Sequence, residues 1–178
     1  RGQHRATIHL LPETNTREKL RQAFADCRAG RLPAHPSIEW YIHTTLDPSL
    51  KDEQGRHSAA LFCQWVPYRL AESSWDREED GFVHRLLEIC DRFAPGTSDL
   101  VDDVFTLTPP KIEERFGITE GHIHHVDNSF AFDERMPYRL PVQGLYACGA
   151  GCHPAGSVIG AAGHNAAKVT LDDLAIAS

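Results

Sequence analysis

The sequence predicts an α+β fold, and three observations carry that prediction. Apolar residues recur with a period of two in some segments and at i, i+3, i+4, i+7 in others. Prolines, glycines and Asp/Asn turns punctuate those segments at short intervals. The composition is globular: 178 residues, 41% hydrophobic and 24% charged, enough to bury a core and exclude wholesale disorder.

Ala6 to Leu11 alternates and stops at Pro12, as a short strand does. Asn15 with Glu18 three residues on is an N-cap and capping-box pattern. The helix it opens sets Leu20, Ala23, Phe24 and Cys27 on one stripe, and Gly30 ends it. Ser37 to Leu46 carries Ile38, Trp40, Ile42 and Thr44 on one face of a second strand. Asp47-Pro48 begins a turn, and Lys51 to Arg56 is a polar loop. Ala59 to Pro67 is a nearly continuous apolar run, the pattern of a strand covered on both faces. From Trp75 to Phe93 a long helix presents Phe82, Leu86, Cys90 and Phe93, flanked by Val83 and Leu87, until Pro95-Gly96 stops it. Leu100 to Thr108 completes the series as a strand. Strand, helix, strand, strand, helix, strand is the order of a ferredoxin-like sandwich, and residues 1–108 are assigned to it as one domain.

Charge and punctuation exclude several function classes. Eighteen Lys and Arg against twenty-five Asp and Glu leave a net charge of −7, which argues against a nucleic-acid or anionic-membrane binder. No apolar run approaches the ~20 residues of a transmembrane segment, and the N-terminus has no signal-peptide pattern. Cys27, Cys63, Cys90, Cys148 and Cys152 include no C-x-x-C pair, which fits reduced thiols in a cytosol-like compartment. The eleven histidines begin to charge below about pH 6.5. The chain opens at Arg1-Gly2-Gln3-His4 and its one methionine is Met136, so a piece of a longer product is expected.

From Thr108 the character changes. Pro109-Pro110 leads a short helix through Phe116, closed by Gly117, and the irregular run Gly121-His122-Ile123-His124-His125-Val126-Asp127 follows. Residues 145–167, Leu-Tyr-Ala-Cys-Gly-Ala-Gly-Cys-His-Pro-Ala-Gly-Ser-Val-Ile-Gly-Ala-Ala-Gly-His-Asn-Ala-Ala, form the pattern of a buried strand, a glycine-rich turn and a helix reaching Ile176. Gly149, Gly151 and Gly156 let backbone approach a ligand closely. Ser157 is placed to cap the helix, whose free N–H groups and positive dipole end favour an anion or an electron-rich carbonyl. Gly160, Ala161, Ala162 and Gly163 keep its start small, at a cost of about 1 kcal/mol per Gly relative to Ala. A closely approaching ligand explains that cost, and helix-on-strand packing is the alternative. The dinucleotide G-x-G-x-x-G is absent, and Pro154 lacks an N–H to donate. If the turn meets a cofactor, it would be as a secondary contact to one whose main binding unit lies elsewhere.

His122, His124, His125 and His153 with Cys148 and Cys152 supply zinc-type ligands, but three residues rather than two separate the cysteines, and no metal is assigned. The histidines are read instead as cleft-lining groups or partners of backbone carbonyls. Cys148 falls on the expected buried strand, so an inert thiol is favoured over a redox pair with Cys152. His125 and His153 are candidate acid–base groups, while the catalytic residues stay unassigned. Asp127 and Asn128 are polar neighbours, and Glu113-Glu114 fit an exposed helix face.

Residues 145–167 resemble the C-terminal flavin motif of the phytoene dehydrogenase-like FAD-dependent oxidoreductases. Leu107-Thr-Pro-Pro-Lys-Ile-Glu-Glu-Arg-Phe-Gly117 with Gly121-His-Ile-His-His125, and Pro141-Val-Gln-Gly-Leu-Tyr146, are similar to that family as well. The resemblance implies FAD as cofactor and an N-terminal Gly-rich βαβ unit, absent here, that holds its ADP half. It implies a substrate-side domain over 1–108 and a flavin-closing segment over 109–178, the last strand and helix of a Rossmann-like FAD-binding domain. Gly149, Ala150 and Gly151 would then lie near the pyrophosphate and ribityl chain. Ser157, Val158, Ile159 and Gly160 would present a helix N-terminus to the pyrimidine edge of the isoalloxazine, where charge collects on reduction. Related amine-oxidase enzymes carry an acid where this chain has Ala150, so that contact is missing. The implied partners are the absent FAD-binding portion of the same chain and an apolar small-molecule substrate, dehydrogenated or isomerised. The implied location is cytoplasmic, or mitochondrial in a eukaryote, with peripheral membrane contact. Alone, the chain is expected to bind FAD weakly or not at all. A non-catalytic binding module that retains the fold is the alternative.

Overall fold

Ile38 and Trp40 alternate with Glu39 and Tyr41 along β2 (Ser37–Tyr41), the central strand of a three-stranded antiparallel sheet. On one side β1 (Ile8–Leu10) sets Leu10 opposite Ile38 and Ile8 opposite Trp40. On the other, β3 (Ala60–Gln64) sets Cys63 opposite Ile38 and Leu61 opposite Trp40. Two apolar rows therefore share one face. A helix, here α2 (Trp75–Phe93), lies against them and closes the core with Phe82, Leu86, Ile89 and Cys90. The Trp75 indole N–H, at its start, donates to the carbonyls of Pro67 (3.1 Å) and Tyr68 (3.2 Å).

The computed structural model describes residues 5–127, 129–156 and 158–176. The chain divides into two compact units, Arg1–Ile112 and Glu113–Ser178. The sheet and α2 belong to the first, as does α1 (Thr16–Arg28). Gly30 follows α1 with φ 72°, and a Cβ there would stand 2.9 Å from the Ala71 nitrogen, whose N–H donates to the Gly30 carbonyl. Glycine is required at that crossing on both counts.

Several expectations are corrected in this unit. Asn15 takes a left-handed conformation (φ 51°) and makes no side-chain cap, so the capping box is not formed. Thr16 Oγ1 instead donates to the Pro12 carbonyl at 2.7 Å. Of the expected α1 stripe only Ala23 is buried, and Phe24 is 46% exposed. β2 ends at Tyr41, and residues 43–45 turn as a 3-10 segment that buries Thr44 against the His57 ring nitrogen Nδ1, 2.7 Å away. No residue of β3 is fully buried: Leu61 and Cys63 pack against the core, and Phe62 and Gln64 are half-buried. In α2, Ile89 takes the core place expected of Phe93, which is 40% exposed. Residues 101–108 form no strand, so the sheet has three strands where the ferredoxin-like order has four. They pair with neither of the edge strands β1 and β3, and alternation without a partner does not make a strand.

The second unit has little regular structure outside α4 (Ala161–Ile176). A shorter helix, α3 (Pro109–Phe116), spans the division, and the Gly117 N–H closes it on the Glu113 carbonyl at 2.8 Å. The buried strand expected at 145–148 is reduced to one bridge, Arg139 with Tyr146, and Leu145 and Cys148 are exposed. Among the described residues no helix is long and apolar enough to cross a membrane.

Candidate functional site

A tight reversal at 138–147 opens the site. The Leu140 N–H donates to the Leu145 carbonyl (3.1 Å) and the Ala147 N–H to the Tyr138 carbonyl (2.9 Å), around Gly144 with φ 78°. The chain then turns through 149–156, where the Cys152 N–H meets the Gly149 carbonyl (3.1 Å) and the Ala155 N–H meets the Cys152 carbonyl (2.7 Å). Met136 bridges Cys152 in parallel. Small buried side chains, Cys152 with Ala162 and Ala166 of α4, allow backbone to pack closely in this unit.

Side chains far apart in sequence clamp the reversal to α4. Arg139 grips the Asp173 carboxylate with Nε (2.8 Å to Oδ2) and Nη2 (2.8 Å to Oδ1), and the Tyr146 hydroxyl donates to the same carboxylate at 2.9 Å. Hydrogen bonds from Arg139 and Tyr146 hold the Asp173 carboxyl below its ordinary range. Asn165 Nδ2 donates to the Tyr138 hydroxyl (3.0 Å), which in turn donates to the His153 carbonyl. Sequence reasoning missed this clamp, because Arg139 and Asp173 lie 34 residues apart and share no local pattern.

Of the expected ligand-facing residues, Val158, Ile159 and Gly160 fall on the open side of the turn. Val158 and Ile159 are exposed, at 105% and 66%, and Gly160 stands before α4 with φ 67°, its carbonyl accepting the His164 N–H at 3.0 Å. Ser157 lies outside the described residues, as does Asn128. The N–H groups of Ala161, Ala162 and Gly163 have no intrahelical acceptor, as in any first helical turn. A Cβ built on Gly149, Gly151 or Gly163 meets nothing within 4 Å, and none of the three has a left-handed φ. Ala150, between two of them, is half-buried.

The remaining candidates separate. His122 and His124 pair with each other, ring centroids 5.5 Å apart, and His122 Nδ1 lies 2.7 Å from the His124 carbonyl. His125 is exposed and His153 half-buried. Burial pushes the Cys152 thiol up, while Cys148 is exposed. Among the described residues no group of three or more His, Cys, Asp or Glu side chains is arranged to hold a metal ion.

The chain is 40% identical over 185 aligned residues to pyridine nucleotide-disulfide oxidoreductase domain-containing protein 2 of Mus musculus, covering 97% of this chain and 31% of that protein. To the protein of the same name in Rattus norvegicus it is 39% identical over 181 residues, covering 96% and 30%. It thus spans less than a third of the length of these curated relatives. No family model matches the chain, and no solved structure matches it. Similarity across nearly its whole length relates it to proteins named for an oxidoreductase domain.

Proposed function

We propose that this chain is the substrate-facing and flavin-closing portion of an FAD-dependent oxidoreductase of the phytoene dehydrogenase-like kind, which dehydrogenates or isomerises an apolar carbon skeleton. One observation carries the reading. Among the described residues nothing comes within 4 Å of a Cβ built on Gly149, Gly151 or Gly163, and none of the three has a left-handed φ. Gly81 shares these features alone in α2, whereas these three gather at the turn and the start of α4. Glycine has a cost where neither a close contact nor a left-handed φ calls for it. A flat cofactor lying against the backbone accounts for all three. On this reading residues 149–151 line the pyrophosphate and ribityl chain, and Val158, Ile159 and Gly160 face the pyrimidine edge of the isoalloxazine.

Bound FAD supplies a two-electron acceptor. The chain contributes orientation and electrostatics. The first-turn N–H groups of α4 offer a positive end where negative charge accumulates on reduction. The Arg139–Asp173–Tyr146 clamp fixes the reversal on α4, and the apolar Val158 and Ile159 exclude water. Unit Arg1–Ile112 faces the substrate.

The test is the visible spectrum of the full-length protein, with and without Gly151→Val. A yellow protein absorbing at about 450 nm is expected. Because no described residue comes within 4 Å of a Cβ at Gly151, the valine should leave the melting temperature of the flavin-free protein unchanged and lower the bound flavin by about tenfold or more. A colourless full-length protein would favour the non-catalytic binding module, and undiminished flavin in the variant would remove the argument from glycine.

A further inference from the structure

We infer that the outward face of α1 is a binding groove for a free apolar carboxylate, a site separate from the proposed flavin contacts. Arg17, Leu20, Arg21 and Phe24 recur at i, i+3, i+4 and i+7, the spacing that ordinarily faces a core. Yet α1 buries only Ala23. Trp65, from the loop after β3, completes the groove by standing edge-on to Phe24, ring centroids 5.7 Å apart at 72°. These five residues line a shallow, largely open and almost wholly apolar groove of about 490 Å³.

Folding explains neither the wall nor the charges of this groove. Trp65 has φ 61°, a left-handed conformation costly for a bulky residue, and it leaves the indole 36% exposed. The backbone is thus strained at a residue that does not enter the core. Arg17 has no ion pair among the described residues, and Arg21 meets only Glu18, at 4.0 Å. Two arginines one helical turn apart, flanking an apolar surface, complement a single ligand class: a carboxylate head with a hydrocarbon or aryl body. The arginines take the head through charge-assisted hydrogen bonds, and the body covers Leu20, Phe24 and Trp65. The net charge of −7 disfavours an extended anionic surface. One small carboxylate senses mainly the local pair, because salt screens beyond roughly 8 Å.

Decanoate, titrated below its micelle-forming concentration into the full chain and followed by tryptophan fluorescence, tests the site. A saturable change is expected, with decanol binding about fivefold weaker. Arg17→Gln with Arg21→Gln should weaken decanoate by about fivefold and leave decanol and the melting temperature unmoved. Trp65→Phe should abolish the fluorescence change while calorimetry still detects decanoate. The inference is overturned by an absence of saturable binding, by equal affinity for decanol, or by indifference to the arginine pair. Sedimentation showing a second copy of the chain seated on this face would overturn it as well.

Discussion

Cys63 and Cys90 belong to facing elements of one core, and burial pushes their thiols up to about 12 and about 11. The thiolate is the reactive form, so both should be inert in the native protein while exposed Cys148 is open to attack. At pH 8, iodoacetamide is expected to modify Cys148 first and Cys63 and Cys90 at least about a hundredfold more slowly. Mass spectrometry of timed samples reads this directly, and comparable rates would show that the core is not closed. His35 titrates in the opposite sense. Burial is the main cause that lowers its pKa, and Arg92 adds to it, outweighing the Leu10 carbonyl contact. Arg92 Nη2 donates to His35 Nδ1 at 3.0 Å, which requires that nitrogen unprotonated. The neutral ring is therefore the native form. Its contribution to stability is complete above the unfolded value of about 6.5 and is lost as pH falls through the lower native value. NMR titration should find His35 below about 6.5, and a native value above that would reverse the sign.

At the scale of elements, the sheet and α2 carry the stability of the first unit, and α1 contributes less than its sequence pattern suggests. Ile38 is 0% exposed at the centre of β2, with Leu10 and Cys63 in register beside it. Ile38→Ala should cost about 2–5 kcal/mol, the range for a large-to-small change in a core that cannot collapse. Phe24→Ala, on the open face of α1, should stay within about 1 kcal/mol. Denaturant melts of the two variants compare them, and similar losses would place α1 in the core after all. The contrast marks what the sequence could disclose. α2 runs over Trp75–Phe93, as its period and its Pro95-Gly96 stop indicate, because helix bonds and stop signals are local. A strand at 101–108 needed a partner edge, which no local pattern can report. The same limit hid the Arg139–Asp173–Tyr146 clamp. The glycines at 149, 151 and 163 were legible as an excess, and only the folded chain shows that no described residue outside their own element packs against them.

Across the whole molecule, each unit leaves apolar side chains in water. Leu100 (83%) and Phe105 (71%) are the most exposed of five such residues within 100–107, and Val158 and Ile159 stand out from the turn before α4. Exposing a side chain of this size costs roughly 1.5–3 kcal/mol relative to full burial, and contiguous exposure of this kind marks a surface that another body covers. On the proposed reading that body is the FAD-binding portion for residues 100–107, and the flavin itself for 158–160. Both covers would come from outside this chain, which spans 31% of the mouse relative. Hydrogen exchange compares the two situations. In the FAD-loaded full-length protein, amides of 100–107 and 158–163 should exchange at least about tenfold more slowly than in the 178-residue chain. FAD added to the isolated chain should wash away on desalting and leave these amides unprotected. Equal exchange in both proteins would mean that the apolar segments stay wet in the complete molecule. Tight one-to-one FAD on the isolated chain would mean that α4 and its turn suffice without the ADP-binding unit, and the division of labour proposed for this fold would fall.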